Sequence, residues 1–322
     1  MYFSIIIPVY NRPDEIKELL ESLSRQVYQN FEVIIVEDGS KISCREEVES
    51  FEPQMQIRYF YQENSGQGFA RNYGMEKAKG DYFVFFDSDC LIPENYLKIL
   101  NQAILEFNLD AHGGPDEASG EFSAFQKAIN FSMTSFLTTG GIRGKVADPS
   151  KYQARGYNMG FSREVYNATQ GFRDANQGED IELSIRIKKL GFKLHLVREA
   201  FVYHKRRNDL KSFVNQGFSF GVNRVNVNHY HPGSIQAIHW MPAMFLLGAL
   251  SVILAYFICY PYFFAGAMIY GIWTLGVLVS SSLENKSLCV GILSIATSYG
   301  QLLAYGAGLL WAKGKALVLS TK

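Results

Sequence analysis

The sequence predicts an α/β protein with a mostly parallel sheet and helices on both of its faces, followed by an all-α transmembrane region. Three observations predict this. Across residues 1–110, short apolar strands alternate with helices of about 10–15 residues. Polar residues follow the strands at their carboxyl ends, where open α/β sheets bind ligands. After residue 235, apolar runs long enough to cross a bilayer replace this alternation.

The predicted elements follow one another in a regular order. The strand "FSIIIPVY" precedes the helix "PDEIKELLESLSRQVY", which places Ile16, Leu19, Leu20, Leu23 and Val27 on one face. Next come the strand "FEVIIVEDGS", a polar helix around "SCREEVESF", the strand "IRYFYQE" and the helix "GFARNYGMEKAKG". The strand "DYFVFFDSD" and the helix "ENYLKILNQAILEF" complete the series.

Composition excludes some classes of function. The formal net charge of the 322 residues is zero, so no basic stripe indicates nucleic-acid binding. The four cysteines are scattered without the spacing of a metal site or a disulfide framework, which fits a reducing compartment. The opening "MYFSIIIPVYN" has no basic start or cleavage site and is predicted to be a strand, not a signal peptide.

Two carboxylates stand at the end of the fourth strand. Asp87 and Asp89 are two residues apart, so in an extended chain their side chains point to the same face. Like charges so close are costly unless something positive lies between them. Other strands also end in polar residues: Asn11, Glu37 with Asp38, and Asn64. Each alone could be a loop residue or a helix cap, but four strand ends in a row predict a shared site.

Four segments in order carry a family resemblance. They are "SIIIPVYNRPDEIKELLESLSRQ", "FEVIIVEDGS", "NSGQGFARNYGMEKAKGDYFVFFDSDC" and "GFRDANQGEDIELSIRIKKLG", spanning residues 4 to 191. This set resembles glycosyltransferase family 2, which implies the GT-A fold. "GFSFGVNR" and "SYGQLLAYGAG" resemble its membrane-anchored branch of succinoglycan-type exopolysaccharide enzymes. The Q-x-x-R-W motif of processive synthases is absent after Asp180, which argues against a polymerising synthase.

The resemblance implies a divalent cation, Mn²⁺ or Mg²⁺, at the D-x-D pair. Asp87 and Asp89 would hold the cation, which would bridge the diphosphate of a nucleotide-sugar; hard cations of this kind prefer oxygen ligands. His204 ends the strand "EAFVYH" and is a candidate third metal ligand, although a histidine at a strand end is also a common structural feature.

The resemblance also implies a donor pocket and a base. Asp38 would contact the nucleoside, and Arg71 would reach the base or phosphates unless it is a surface arginine. The other candidate donor-site residues are Pro8, Tyr10, Glu37, Ser88, Asn158, Gly160 and Glu179. In "QGEDIELSIRIKKLG", Asp180 matches the catalytic base, which makes the reaction inverting. Acidic residues at a helix start are also explained by capping and the helix dipole.

The chain is predicted to divide at residue 235. Residues 1–235 form the catalytic domain, with a nucleotide-sugar and metal half (1–110), an acceptor half (111–205) and a juxtamembrane stretch (206–235). Residues 236–322 form the transmembrane region. Within the acceptor half, "EFSAFQKAINFSMTSFL" has apolar residues at helical spacing and is either a core helix or an interfacial helix guiding a lipid-linked acceptor.

The apolar tail contains two or three spans. "MPAMFLLGALSVILAYFICY" and "YFFAGAMIYGIWTLGVLV" are long enough to cross a bilayer. The third segment, "CVGILSIATSYGQLLAYGAGLLW", is a span, a broken helix or an interfacial segment. We favour three spans, although these would place Lys313 and Lys315 opposite the Lys205–Arg207 flank, against the positive-inside rule.

These observations predict a multi-pass protein of the cytoplasmic (inner) membrane whose catalytic domain faces the cytoplasm. It would move a sugar from a nucleotide-sugar, which we expect to be UDP-linked, to a hydroxyl of a lipid-linked saccharide. One alternative acceptor is polyprenyl phosphate, which needs no base. Another alternative is a non-catalytic nucleotide-sugar-binding component of a polysaccharide assembly complex. A glycoside hydrolase is excluded, because Asp87 and Asp89 are too close for the roughly 5–10 Å carboxyl separation of those enzymes.

Overall fold

The computed structural model describes residues 1–117, 122–139, 152–174, 176–205 and 209–320. The chain forms two compact units. Unit 1 consists of Met1–Ser119 and Ala147–Lys205, and unit 2 consists of Gly120–Val146 and Arg206–Lys322. The chain therefore passes from unit 1 to unit 2, returns to unit 1, and then passes to unit 2 a second time. Arg206 and Arg207, part of the expected basic flank, lie outside the described residues.

The elements alternate in unit 1 and are helical in unit 2. The described strands are β1 (Phe3–Val9), β2 (Phe31–Asp38), β3 (Ile57–Gln62), β4 (Tyr82–Phe86), β5 (Cys90–Leu91), β6 (Ala111–Gly113), β7 (Asp116–Glu117), β8 (Asn158–Ser162), β9 (Leu194–Leu196) and β10 (Val202–His204). The described helices are α1 (Pro13–Ser24), α2 (Arg45–Glu49), α3 (Gln67–Lys77), α4 (Tyr96–Phe107), α5 (Ala124–Thr134), α6 (Phe136–Thr139), α7 (Arg163–Thr169), α8 (Glu179–Lys189), α9 (Leu210–Tyr230), α10 (Ala237–Ile258), α11 (Tyr260–Asn285) and α12 (Leu288–Ser320).

Unit 1 is built on a seven-stranded sheet of order β3-β2-β1-β4-β8-β6-β9. The four strands β1 to β4 are parallel, β8 is antiparallel to its neighbours β4 and β6, and β9 is parallel to β6. The predicted α/β architecture with a mostly parallel sheet is confirmed. Because β1 to β4 are parallel, their carboxyl ends meet at one edge, and the polar strand ends therefore converge there.

Both faces of this sheet are covered, which explains why its strands are apolar throughout. Successive residues of β1 alternate between two buried clusters: Ile5 and Ile7 pack in one with the apolar face of α1, and Ile6 packs in the other. Gly74 of α3 lies so close to β1 that an added Cβ would be 2.5 Å from Ile6 Cγ2. A side chain there would push the helix off the sheet.

The first helix is about one turn shorter than the sequence predicts. Val27 was expected on the buried face of the first helix, but α1 ends at Ser24 and Val27 is exposed. Its backbone N–H donates to the Glu94 carbonyl, 2.9 Å away. The residues after Ser24 therefore form a connection tied to the start of α4, and Val27 is not part of the core.

A small second sheet brings distant residues together. Its strand order is β5-β10-β7, with β10 antiparallel to β5 and parallel to β7. In this register His204 is the partner of Cys90. The strand-end histidine is thus placed directly beside the residue that follows Asp89.

Unit 2 contains three long apolar helices. Within the described residues, α10, α11 and α12 are long and apolar enough to cross a membrane, with mean hydropathies of 2.2, 1.7 and 1.4. Only Cys259 separates α10 from α11, and contacts such as Gly266 with Val252 and Tyr270 with Phe245 show that the two helices form an antiparallel hairpin. The third apolar segment is one continuous helix, so the broken-helix alternative is wrong.

Helix α12 is the centre of unit 2. It packs on α9 where Gly221 and Gly308 let the backbones approach, since added Cβ atoms would lie 2.2 Å from the Tyr305 carbonyl oxygen and 2.1 Å from that of Phe218. Its Thr297 hydroxyl donates to the Ala128 carbonyl of α5, 3.1 Å away. The stretch predicted as a core or interfacial helix is thus a member of the apolar unit. The helix breaks at Ser135, so Phe136, one of the apolar residues at helical spacing in this stretch, is exposed.

Candidate active site

The D-x-D carboxylates lie immediately after β4, and each is paired with a guanidinium. Arg71 Nη2 donates to Asp87 Oδ1 at 2.6 Å. Arg12 Nη1 donates to Asp89 Oδ2 at 2.8 Å. The positive charge that the sequence required near this pair is therefore supplied from two sides, by the start of α1 and by α3.

His204 approaches the other oxygen of Asp89. Its Nε2 lies 3.0 Å from Asp89 Oδ1, and its ring stacks on Tyr157 with 4.6 Å between the ring centroids. Burial alone would raise the pKa of Asp89, but His204 and then Arg12 outweigh it and hold the pKa well below its usual range. Asp89 is therefore ionised throughout the physiological range.

These residues fit a hard divalent cation. One ligand atom each from Asp89, Cys90 and His204 lies within 4.8 Å of the others. Asp89 Oδ1 is buried, and within the described part of the chain its one neighbouring polar partner is His204 Nε2 at 3.0 Å. Burial raises the pKa of the Cys90 thiol, so the thiol stays protonated and is a poor ligand. Of this group, Asp89 and His204 offer the oxygen and nitrogen donors that such a cation accepts, while Asp87 Oδ1 is paired with Arg71.

Arg71 is fully buried and connects the two acidic motifs. Besides Asp87, its Nη1 lies 3.4 Å from Glu179 Oε1, and its guanidinium lies 5.4 Å from the centre of the Phe172 ring. An added Cβ at Gly156 would be 2.7 Å from Arg71 Nη2. The side chain is therefore locked in place, and the surface-arginine alternative is wrong. Its guanidinium ties the D-x-D pair to the E-D pair.

Glu179 and Asp180 begin α8 but have different surroundings. Glu179 is 4% exposed and accepts a hydrogen bond from Gln67 Nε2 at 2.7 Å. Burial and the charge of Asp180 raise the pKa of Glu179 to about 7, against the opposing effect of Arg71. Asp180 is half-buried, with Oδ2 accepting from the Gly156 N–H at 3.3 Å. Asp180 is the more accessible of the two carboxylates.

The acidic residues at the end of β2 organise loops. Glu37 accepts hydrogen bonds from the Ser43 hydroxyl at 2.7 Å, the Cys44 N–H at 3.1 Å and the Tyr59 hydroxyl. Burial would raise the pKa of Glu37, but hydrogen bonds, Tyr59's first, lower it overall. The carboxylate is thus fully engaged in holding the loop after β2.

Asp38 holds the start of α3. Its Oδ2 accepts from the Gly66 N–H at 2.8 Å, and its Oδ1 accepts from the Ser65 N–H at 2.9 Å. Asp38 is 3% exposed, whereas Tyr10, also predicted at the donor pocket, is 49% exposed. Pro8 is half-buried at the end of β1, beside these loops.

The remaining predicted donor residues are buried in unit 1. Asn158 donates from Nδ2 to the Pro115 and Ala200 carbonyls and accepts from the Tyr96 hydroxyl at 2.6 Å, so its amide is used within the fold. Residue 160 must be a glycine, because a Cβ there would lie 2.4 Å from the Phe83 carbonyl oxygen. Ser88, between the two aspartates, is 4% exposed.

Two features were missed by sequence reasoning. His112 is fully buried between the hydroxyls of Tyr82 (3.0 Å) and Tyr96 (3.2 Å), and burial lowers its pKa to about 3, so it is neutral. Nothing in its local sequence marks it. Arg12 had a signal, since it follows Asn11 at the end of β1, where the other strand ends are functional candidates.

The family model for glycosyl transferase family 2 matches residues 4–169, which is more than half of the chain. The chain belongs to glycosyltransferase family 2. The matched range contains β1 to β4, the D-x-D pair and Arg71.

Curated relatives of this family 2 chain include glycosyltransferase GlyG of Streptococcus pneumoniae serotype 4, 27% identical over 215 residues, which are 64% of this chain and 71% of GlyG. The succinoglycan biosynthesis protein ExoA of Rhizobium meliloti is 26% identical over 280 residues, 84% of each chain. Other relatives are far longer than the match: 96 residues at 41% identity are 30% of this chain but 14% of an uncharacterised glycosyltransferase of Rickettsia bellii.

Similarity to solved structures confirms that this chain has the GT-A fold. The mannosyltransferase PcManGT of Pyrobaculum calidifontis, solved with GDP-Man and Mn²⁺, has a TM-score of 0.68 at 17% identity, over 97% of this chain and 87% of that one. TarS 1–349 of S. aureus, solved with UDP-GlcNAc, has a TM-score of 0.52 at 17% identity, over 94% of this chain and 90% of that one.

Proposed function

We propose that the protein is a metal-dependent, inverting glycosyltransferase that moves a sugar from a nucleotide-sugar, UDP-linked by preference, to a hydroxyl of a lipid-linked saccharide. The observation that carries this proposal is the meeting of two acidic pairs, Asp87 with Asp89 and Glu179 with Asp180, through the buried guanidinium of Arg71. One pair is suited to a metal, and the other offers a half-buried carboxylate for proton transfer.

The residues divide the chemistry between them. Asp87, Asp89 and His204 would hold Mn²⁺ or Mg²⁺, and a cation bound there would neutralise the charge of the leaving nucleoside diphosphate. Asp180 accepts the proton of the acceptor hydroxyl. As it does so, the hydroxyl oxygen bonds to the anomeric carbon and the bond from that carbon to the diphosphate breaks. Arg71 holds the two pairs near each other, since its buried guanidinium is bonded to Asp87 and paired with Glu179.

Two features support a lipid-linked acceptor and a membrane location. The segment containing α5, between the D-x-D and E-D motifs in sequence, belongs to the apolar unit 2 and is hydrogen-bonded to α12. The α10–α11 hairpin is long and apolar enough to anchor the chain in a bilayer. The similarity to ExoA, a succinoglycan biosynthesis protein, fits an enzyme of polysaccharide synthesis at the inner membrane with its catalytic unit in the cytoplasm.

The role of Asp180 is tested with Asp180→Asn. Asn keeps an acceptor oxygen for the Gly156 N–H but takes no proton at neutral pH, so transfer should fall by about 10²–10⁴-fold. Donor and Mn²⁺ affinities should barely change. Transfer is measured as nucleoside diphosphate released on adding acceptor lipids to the purified protein.

Asp89→Asn is the matched control, because it should lose donor binding in Mn²⁺ together with rate. Near-normal transfer by Asp180→Asn would remove Asp180 from the mechanism and favour polyprenyl phosphate as the acceptor, since a phosphate oxygen is already ionised. Loss of donor binding in Asp180→Asn would place this residue in the donor site instead.

A further inference from the structure

Arg12 is shared between a metal-site carboxylate and a neighbouring helix residue. The same nitrogen, Nη1, donates to Asp89 Oδ2 at 2.8 Å and to Glu15 Oε2 at 2.9 Å. The side chains of Arg12 and Glu15 are each 32% exposed, and that of Asp89 is 15% exposed. Arg12 therefore has a second carboxylate to which it can remain bonded if it leaves Asp89.

The two guanidiniums of the site differ in freedom. Arg71 is fully buried, lies against Phe172 and Gly156, and is paired with both Asp87 and Glu179. Arg12 is the N-cap residue of α1, its side chain makes no capping hydrogen bond, and a third of it is in solvent. Of these two arginines, Arg12 is thus the one that can be displaced without disturbing the fold.

A cation and Arg12 compete for Asp89. One oxygen of this carboxylate accepts from Arg12, while the other faces His204. A divalent ion bound at Asp89 would place two positive charges within a few ångströms of the guanidinium, and like charges at that distance repel. A nucleoside diphosphate changes this balance, because its phosphate oxygens can accept bidentate hydrogen bonds from a guanidinium released beside them.

We infer that Arg12 takes the place of a cation beside Asp89 while no metal is bound. When the metal binds, Arg12 gives up its bond to Asp89, keeps its bond to Glu15 and turns to the diphosphate, so that metal binding depends on the nucleotide. This inference rests on the metal-dependent function proposed above. It assigns Arg12 as a positioning residue acting through Asp89. The coupling is reciprocal, so the nucleotide should also bind more tightly with metal by the same factor.

The inference is tested by binding Mn²⁺ alone to the purified full-length protein, with free Mn²⁺ measured by electron paramagnetic resonance. Arg12→Gln removes the charge but keeps hydrogen-bonding groups, and should raise the Mn²⁺ affinity roughly tenfold, the scale of one charge-assisted hydrogen bond. Glu15→Gln should act in the opposite direction and weaken Mn²⁺ binding, because Arg12 then has only Asp89. Arg45→Gln, which breaks a similar exposed pair with Glu49 on α2, is the matched control and should change nothing.

Repeating the titration with UDP present measures the coupling. The ratio of Mn²⁺ affinities with and without UDP should be smaller in Arg12→Gln than in the unmodified protein. If Asp89→Asn abolishes Mn²⁺ binding but Arg12→Gln leaves the Mn²⁺ affinity unchanged or lowers it, the inference is overturned. It is also overturned if Glu15→Gln raises the Mn²⁺ affinity. If the unmodified protein binds Mn²⁺ no better than Asp89→Asn, the proposed metal site fails as well.

Discussion

At the scale of single residues, the site is defined by how its charges are paired. Arg71 lies between Asp87 and Glu179 with no exposed surface, so it is an immobile charge in a low-dielectric setting. Removing one partner of such a group leaves a buried charge uncompensated, which typically costs about 3–5 kcal/mol. The position of Arg71 is thus a requirement of the fold.

Glu179 makes the stability of the protein depend on pH. Its pKa is raised to about 7 from the ordinary value of 4.5, chiefly by burial and then by Asp180. The folded protein therefore keeps a proton that the unfolded chain releases, and this contribution to stability is present below about pH 4.5 and lost as the pH rises through 7. We expect the melting temperature to fall less between pH 5 and 8 in Glu179→Gln than in the unmodified protein.

Thermal unfolding followed by intrinsic fluorescence in detergent checks this expectation. Glu164→Gln is the control, because Glu164 is an exposed glutamate at the start of another unit 1 helix, α7. Parallel melting curves for Glu179→Gln and the unmodified protein across this pH range would contradict the prediction.

Sequence patterns located the residues of the site but not their partners. Asp87 and Asp89 follow a strand end, so the local pattern was enough to single them out, whereas Glu179 and Asp180 start a helix and were singled out only by the family resemblance. The hydrogen bonds that engage Glu37 and Asn158 join them to residues up to 62 positions away, and only the tertiary fold creates them. Arg71 was predicted to contact the nucleotide or lie on the surface, whereas its position depends on the distant Phe172 and Gly156.

At the scale of elements, close helix contacts in unit 2 depend on glycines, which have no side chain. The backbones of α9 and α12 approach at Gly221 and Gly308, in the manner of small-residue contacts between membrane helices. The apolar periods of the tail predicted helices there. They could not show that α5 packs on α12, because that contact joins segments 169 residues apart.

We expect Gly308→Ala to destabilise the protein by about 1–3 kcal/mol, because the new methyl group would overlap the Phe218 carbonyl. Gly314→Ala on the same helix is the control. A Cβ at Gly314 meets nothing within 4 Å, so this change should be neutral or stabilise by up to about 1 kcal/mol. Thermal unfolding in detergent measures both, and equal melting temperatures for the two variants would count against this packing.

At the scale of the whole molecule, the path of α12 bears on membrane topology. Gly306 lies against Pro242 in the second turn of α10, and Trp311 contacts Phe218 of α9. Helix α9 precedes α10, the first candidate span, and Pro242 lies near the beginning of that span. If α10 crosses the bilayer, we expect the second half of α12 to lie on the side on which α10 begins, and Lys313 and Lys315 would then obey the positive-inside rule.

Reporter fusions test this arrangement. Fusions after Ile235, near Asn285 and after Ser320 should all be cytoplasmic, because α10 and α11 form the hairpin and α12 returns beside α9. An extracytoplasmic signal after Ser320 would restore the three-span topology favoured by hydropathy. Such a signal at Asn285 would show that only one of α10 and α11 crosses.

The interleaving of the two units has a consequence for biosynthesis. The α5 segment is made early, but α12, which contacts it, begins at Leu288, 154 residues after α5 ends at Thr134. At about 5–20 residues per second, a ribosome needs roughly 8–30 seconds to cover that distance. During this interval Ile129 and Met133 of α5 can pack on Phe213 of α9, but the side of α5 that faces α12 has no native partner. We therefore expect a polypeptide truncated before α12 to expose that side of α5 and to aggregate more readily than the full chain.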